Sequence, residues 1–133
     1  MKLTSRSEYA LLALVYLARH DANGYISVDT IAQAQSIPPK FLEQILLALK
    51  RAHFLRSSKG QHGGYHLAKA PEQISLAEII RLFDGALAPL EPVSTKGYAF
   101  APMDKEQKLT GLFEQIQAQI SERLESTTIA ELA

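Results

Sequence analysis

Residues 27–67, SVDTIAQAQSIPPKFLEQILLALKRAHFLRSSKGQHGGYHL, hold the pattern from which the rest of the chain is read. Ser27 is a good N-cap for a short helix from Val28 to about Gln35, with Ile31 and Ala32 facing inward. That helix gives way to a tight turn at Ser36-Ile37 and then to Pro38-Pro39. Proline is tolerated only in the first turn of a helix, so the pair marks a start. The helix beginning there puts Leu42, Ile45, Leu46 and Leu49 on one face and Lys40, Glu43, Gln44 and Leu47 on the other, with Lys50 and Arg51 near its end. Phe54–Ser57 and Gly64–Leu67 read as short strands, joined by a tip over Ser58–Gly63. Helix, turn, helix and hairpin in that order make a winged helix-turn-helix. Such a fold sets one helix in the major groove of DNA and reaches its hairpin tip toward the neighbouring backbone or minor groove.

The flanking sequence completes this domain and adds a second feature. Ser5 or Ser7 is expected to cap a first helix running to about His20. Its apolar stripe is Tyr9, Leu12, Ala13, Tyr16 and Leu17, widened by Leu11, Leu14 and Val15, so it should be buried on two sides. Asp21–Gly24 closes it, with Gly24 free to adopt a left-handed conformation. Ser75 and Glu78 form a capping box for a helix to Phe83, stopped by Asp84-Gly85. Residues 86–103, with Pro89, Pro92, Gly97 and Pro102, have no clear periodicity. Asp104 with Gln107 reads as a second capping box, opening a long helix to about Glu125. Along it Leu109, Leu112, Phe113, Ile116, Ile120 and Leu124 make one stripe spaced by three and four. Thr127 and Thr128 are expected to cap a final short turn through Leu132. The expected fold is mainly α with a small β-hairpin wing. It divides into a winged helix-turn-helix domain over 1–84, a connecting segment over 85–103, and a dimerisation helix with its C-terminal turn over 104–133.

The chain's 133 residues, 47% apolar and 21% charged, suit a single soluble core with an appendage. The opening Met-Lys-Leu-Thr-Ser-Arg lacks the apolar core of a signal peptide, and no run approaches a membrane span, so a cytoplasmic protein is expected. Cysteine is absent, which removes disulfides, thiol catalysis and every thiolate-held metal or cluster within this chain. Zero net charge hides an asymmetry. Residues 1–70 carry nine Lys/Arg against four Asp/Glu, whereas residues 71–133 carry five against ten. A basic half and an acidic half suit a DNA-facing surface and a separate surface with another task.

The candidate reading residues are Pro38, Pro39, Lys40, Phe41, Glu43, Gln44 and Arg51. Lys40 suits a phosphate or a guanine edge, and Gln44 offers paired donor and acceptor to adenine. Glu43 is repelled by DNA unless it accepts from a cytosine amine, so it would select by penalising wrong sites. The same three side chains would also simply solvate an exposed helix, and it is the adjoining wing that favours reading. In the wing, Lys59 is placed for a narrow minor groove, and Arg56, Ser57, Ser58, Gln61 and His62 for the backbone. Gly60, Gly63 and Gly64 let the backbone turn tightly and approach a phosphate closely. No acid lies between Glu43 and Glu72. His62 and His66 are four apart, but with glycines between them and no further ligand they make a poor metal site. No nucleophile–base set, phosphate loop or carboxylate pair can be assembled, so no catalysis and no cofactor are expected. The stripe from Leu109 to Leu124 is either packed on its own domain or paired with a second copy. About 30 Å of helix exceeds what one small face needs, which favours pairing.

These residues resemble the Rrf-type (IscR-, NsrR- and CymR-like) bacterial winged-helix transcriptional regulators over essentially the whole chain. The resemblance is carried by Leu3-Thr4 through Tyr9-Ala10-Leu11, by Ile37 to Leu49, by Lys59-Gly60 and Gly63–Leu67, by Ile74-Ser75-Leu76 with Ile79-Ile80, and by Thr127–Leu132. It implies a homodimer crossed through the long helix on near-palindromic promoter DNA, most often as a repressor. Residues around Pro38 to Gln44 would lie in the major groove and the Lys59-Gly60 tip near the minor groove. Relatives often carry arginine where Lys59 stands, which implies a lighter hold here. In cluster-binding relatives the glutamate matching Glu43 discriminates between classes of site, and three cysteines occupy the segment matching residues 86–103. This chain has none, so the remaining modes of control are an effector protein, a small ligand near residues 86–103, or constitutive binding. The competing expectation is a protein-interaction module that kept the winged fold and lost operator binding.

Overall fold

The computed structural model describes residues 3–85 and 105–133. Six helices and one hairpin follow the expected order among them: α1 Ser5–Arg19, α2 Val28–Gln35, α3 Pro39–Arg51, β1 Leu55–Ser58, β2 Gly64–Leu67, α4 Leu76–Asp84, α5 Gln107–Ser126 and α6 Ile129–Leu132. Residues 86–103, the expected connecting segment, lie outside the described residues.

Local signals set most of these boundaries. The Ser27 hydroxyl accepts from the Thr30 amide at 3.2 Å, capping α2 as expected. Ser36 turns left-handed (φ 57°), and the Ile37 amide reaches back to the Ala32 carbonyl at 2.9 Å, ending α2 just before the prolines. Ser75 and Glu78 close the capping box of α4, and Thr128 with Glu131 closes another at α6.

Three caps or edges differ from the expectation. At α1 the cap is Thr4, not Ser5 or Ser7: its side chain accepts from the Ser7 amide at 3.3 Å, while Ser7 is itself helical and buried. Thr4 is held by Asp84, which accepts from its amide at 3.3 Å and from its hydroxyl. Burial pushes the Asp84 carboxyl up, but these bonds and the nearby Arg6 charge hold it below the usual carboxylate range. At α5 the helix opens at Gln107, which the expected capping box placed three residues inside it. Glu106 occupies the cap position without a side-chain hydrogen bond, Gln107 is already helical, and Asp104 lies outside the described residues. At the wing, β1 starts at Leu55 rather than Phe54, because the end of α3 claims Phe54. The His53 amide donates to Lys50 and the Phe54 amide to Leu49, both at 2.9 Å, the double reach-back of a Schellman motif.

One core ties these elements together. It takes Ala10, Ala13, Leu14 and Leu17 from α1, Ile31 and Ala32 from α2, and Leu42, Ile45, Leu46 and Leu49 from α3. Phe54, Leu55 and Leu67 add the root of the wing, and Ile74, Ile79 and Ile129 close the far side. The α1 stripe is thus centred on Ala10–Leu17, with Tyr9, Leu12 and Tyr16 half-buried at its flanks, since α1 has neighbours on several sides. The chain's end returns to this core. The Leu76 amide donates to Thr127 and the Ile129 amide to Ile74 (3.0 and 2.9 Å), which leaves Ile129 fully buried. The preceding α5 buries no residue completely. Leu124 near its end packs on Ala77 and Ile80, and Arg81 pairs with Glu125. Among the described residues no helix is long and apolar enough to cross a membrane.

His53 occupies the left-handed position of the Schellman motif with φ 69°, where a side chain is strained and glycine is not. His53→Gly is therefore expected to raise stability by about 0.5–1 kcal/mol, read as a higher urea midpoint with an unchanged slope.

Candidate nucleic-acid interface

The helix α3 is divided lengthwise by its sequence. Leu42, Ile45, Leu46 and Leu49 are buried, while Lys40, Glu43, Gln44, Leu47, Lys50 and Arg51 are exposed. Pro38 stands at the cap position without any side-chain hydrogen bond, and Pro39 has no N–H to satisfy. The amides of Lys40 and Phe41 therefore open the helix uncapped, at the end where the macrodipole favours an anion. Phe41 lies to one side of the exposed face, its ring edge-on to Tyr9 with centroids 5.4 Å apart.

The wing is a four-residue antiparallel ladder with Leu55 opposite Leu67 and Ser58 opposite Gly64. Its tip is Lys59–Gly63, with Ser58, Lys59, Gly60, Gln61 and His62 exposed and Ser57 and Gly63 partly covered. Lys40, Lys50, Arg51 and Lys59 form no ion pair among the described residues, so their charges face outward uncompensated. Among the sequence-predicted reading residues, Pro38 stands at the cap of α3, Phe41 lies to the side of that helix against Tyr9, and the others fall on its exposed side or on the wing.

What the sequence did not reveal is how the wing is held. The amides of Ile26 and Tyr65 donate to each other's carbonyls at 2.9 and 2.8 Å, a short bridge that stitches β2 to the segment entering α2. The approach is so close that a Cβ on Gly64 would lie 2.2 Å from the Ile26 carbonyl oxygen. The adjacent Gly-Gly pair was the one available hint of such contact. Burial, and then the Glu43 carboxylate of α3, push the Tyr65 phenol up.

His66 pins the other end of β2. Its Nε2 lies 3.1 Å from both the Asp21 carboxylate and the Asp21 carbonyl, and its Nδ1 lies 3.4 Å from Arg56. His66 is thereby engaged with Asp21 rather than with His62, and no group of three His, Cys, Asp or Glu among the described residues could hold a metal ion. The surface has the chemistry of a polyanion binder: outward cations, an uncapped helix start and amide and hydroxyl groups, all on one rigid core.

Comparison with known proteins agrees with this chemistry. The family described as "Rrf2: Iron-dependent Transcriptional regulator" matches residues 3–133. An HTH-type transcriptional regulator of Mycobacterium tuberculosis is 34% identical over 133 residues, covering 100% of this chain and 81% of that protein. The HTH-type transcriptional regulator CymR of Bacillus subtilis is 31% identical over 133 residues, covering 100% and 90%. Among solved structures, CymR, the global cysteine regulator of B. subtilis, superposes with a TM-score of 0.84 at 29% identity, covering 100% of this chain and 96% of that one. IscR of T. potens gives 0.77 at 28%, covering 99% and 85%.

Gly60 and Gly64 both have positive φ (107° and 152°), but an added Cβ meets nothing within 4 Å at Gly60 and meets backbone at Gly64. Gly64→Ala should cost clearly more than the ~1 kcal/mol expected of backbone strain alone, and Gly60→Ala no more than about that. Paired thermal melts of the two variants measure the difference.

Proposed function

Because this chain belongs to the Rrf2 family of DNA-binding transcriptional regulators, we propose that it works as a homodimeric repressor on near-palindromic promoter DNA in the cytoplasm. It is a regulator and not an enzyme. The observation that carries the proposal is that a polar, outward helix face and a basic wing are fixed to one core, with the bridge between Ile26 and Tyr65 setting their spacing. In this reading the first turns of α3, from Pro38 to Gln44, enter the major groove. Arg51 and the wing residues Ser57 to Gly63 hold the backbone, with Lys59 at the minor groove. Gln44 and Glu43 select bases, the first by pairing with adenine and the second by rejecting sites that offer no donor.

Dimerisation is supported by α5. Its end is covered by α4, but Leu109 and Leu112 are 44% and 51% exposed, on the same stripe as Ile116, Ile120 and Leu124. An apolar stripe on a helix about 30 Å long favours a second copy of itself. A two-fold pair then presents two reading helices about 34 Å apart, one turn of duplex. Occupying promoter DNA is enough to obstruct transcription, so repression needs no further activity from so small a reader.

The family's description names iron, and the residues here do not fit a thiolate-held iron–sulfur cluster: the chain has no cysteine. No step of this proposal therefore passes through a cluster. Residues 86–103, which lie outside the described residues, are our candidate region for an effector protein or a small ligand. The proposed domain limits are the winged domain over 1–84, this connecting segment to 103, and the dimerisation helix with its turn from 104.

Selection of bound duplexes from a random pool tests the reading, and it should enrich a near-palindrome. On that duplex Lys59→Ala should weaken binding equally for matched and mismatched sites and lower the salt slope by about one. Gln44→Ala should instead lower the ratio between them. Equal retention of random and selected DNA at all salt concentrations would count against the proposal. In sedimentation the wild type is expected as a dimer and Leu112→Asp as a monomer, with DNA affinity falling in step. A monomeric wild type would remove the dimer.

A further inference from the structure

The geometry points to Leu47 as the residue that selects thymine in each half-site, by seating its side chain against the thymine C5-methyl group. The inference rests on α3 being the reading helix and adds a base preference to it.

Lys40, Gln44, Leu47 and Arg51 are spaced by four, three and four, so they form a single line along the exposed side of α3. Three members are polar or cationic and suit phosphates and base edges. Leu47 alone is apolar, and it is 38% exposed. Packing does not require it, because the core stripe Leu42, Ile45, Leu46 and Leu49 lies across the helix and Leu47 is outside the core cluster. Phe41 is exposed to the same degree, but its ring meets Tyr9. A single exposed leucine is ordinary on a protein surface. Its place between Gln44 and Arg51 is what gives it meaning, since it lies one turn beyond the proposed base contact of Gln44 and before the proposed backbone contact of Arg51, where the edge of the next bases would pass.

In the major groove thymine alone presents a methyl group, and cytosine offers a hydrogen at the same position. An apolar side chain between polar ones therefore favours thymine without any hydrogen bond. From Gln44 to Leu47 the helix rises about 4.5 Å, slightly more than the ~3.4 Å step between bases. The selected thymine should thus lie within one or two base pairs of the base that Gln44 meets.

The test replaces each thymine of the selected duplex in turn by deoxyuridine, which differs only in lacking the methyl. With the full-length wild type, one substitution per half-site should weaken binding about fourfold, the effect of one buried methyl-sized group. Leu47→Ala should be indifferent to that same substitution, and so should Leu47→Gln, whose binding to the duplex shows that the surface is intact. If Leu47→Ala keeps the full deoxyuridine penalty, or if no substitution affects the wild type, the inference fails and the regulator reading stands. If selection enriches no sequence at all, both fail.

Discussion

A two-stranded hairpin has too little buried surface to persist by itself in water, and the recognition surface of this protein needs one held at a fixed distance from a helix. The reciprocal bridge between Ile26 and Tyr65 meets that need. It exists because Gly64 has no Cβ and lets two backbones come within reach of each other. Phe54, Leu55 and Leu67 anchor the root of the wing in the core, and His66, beside Leu67, ties β2 to Asp21. Without these ties the cationic tip would be a loose loop, and its contribution to any duplex would be set by chance.

The same core divides the labour of α3. Burying one face of the helix against α1 and α2 commits the opposite face to solvent, where Lys40, Glu43, Gln44 and Arg51 stand exposed and without an ion pair among the described residues. Charge follows the same plan. The basic excess falls in residues 1–70, which include α3 and the wing, and the acidic excess in the later residues that include α5. In the proposed reading this division keeps like charge away from phosphate.

Much of this was legible in the residues because its causes are local. Ser27 and Ser75 with Glu78 announce helix starts through side chains that meet backbone three residues away, Pro38-Pro39 announce one by their fixed φ and missing N–H, and the buried face of α3 follows from spacing alone. The misreadings have equally physical causes. Thr4 displaced Ser5 and Ser7 as the cap of α1 because Asp84, eighty residues away, holds it in place. Phe54 was read as strand because its hydrophobicity suits either role, whereas the left-handed turn at His53, which no glycine advertised, assigns it to the end of α3. For the candidate surface, which residues would be exposed was readable. The partners that position them, Ile26, Tyr65, Asp21 and His66, were not, since they meet only after folding. The return of Ile129 to the core is likewise a contact that only the folded chain makes.

The central claim is that wing and reading helix engage one half-site together and that a second copy repeats the contact. A hydroxyl-radical footprint on a selected duplex tests it most directly. The account predicts protected backbone on both sides of a major groove, including the adjacent minor-groove edge, repeated with two-fold symmetry one helical turn away. A single asymmetric patch, or major-groove protection with no minor-groove flank, would contradict it.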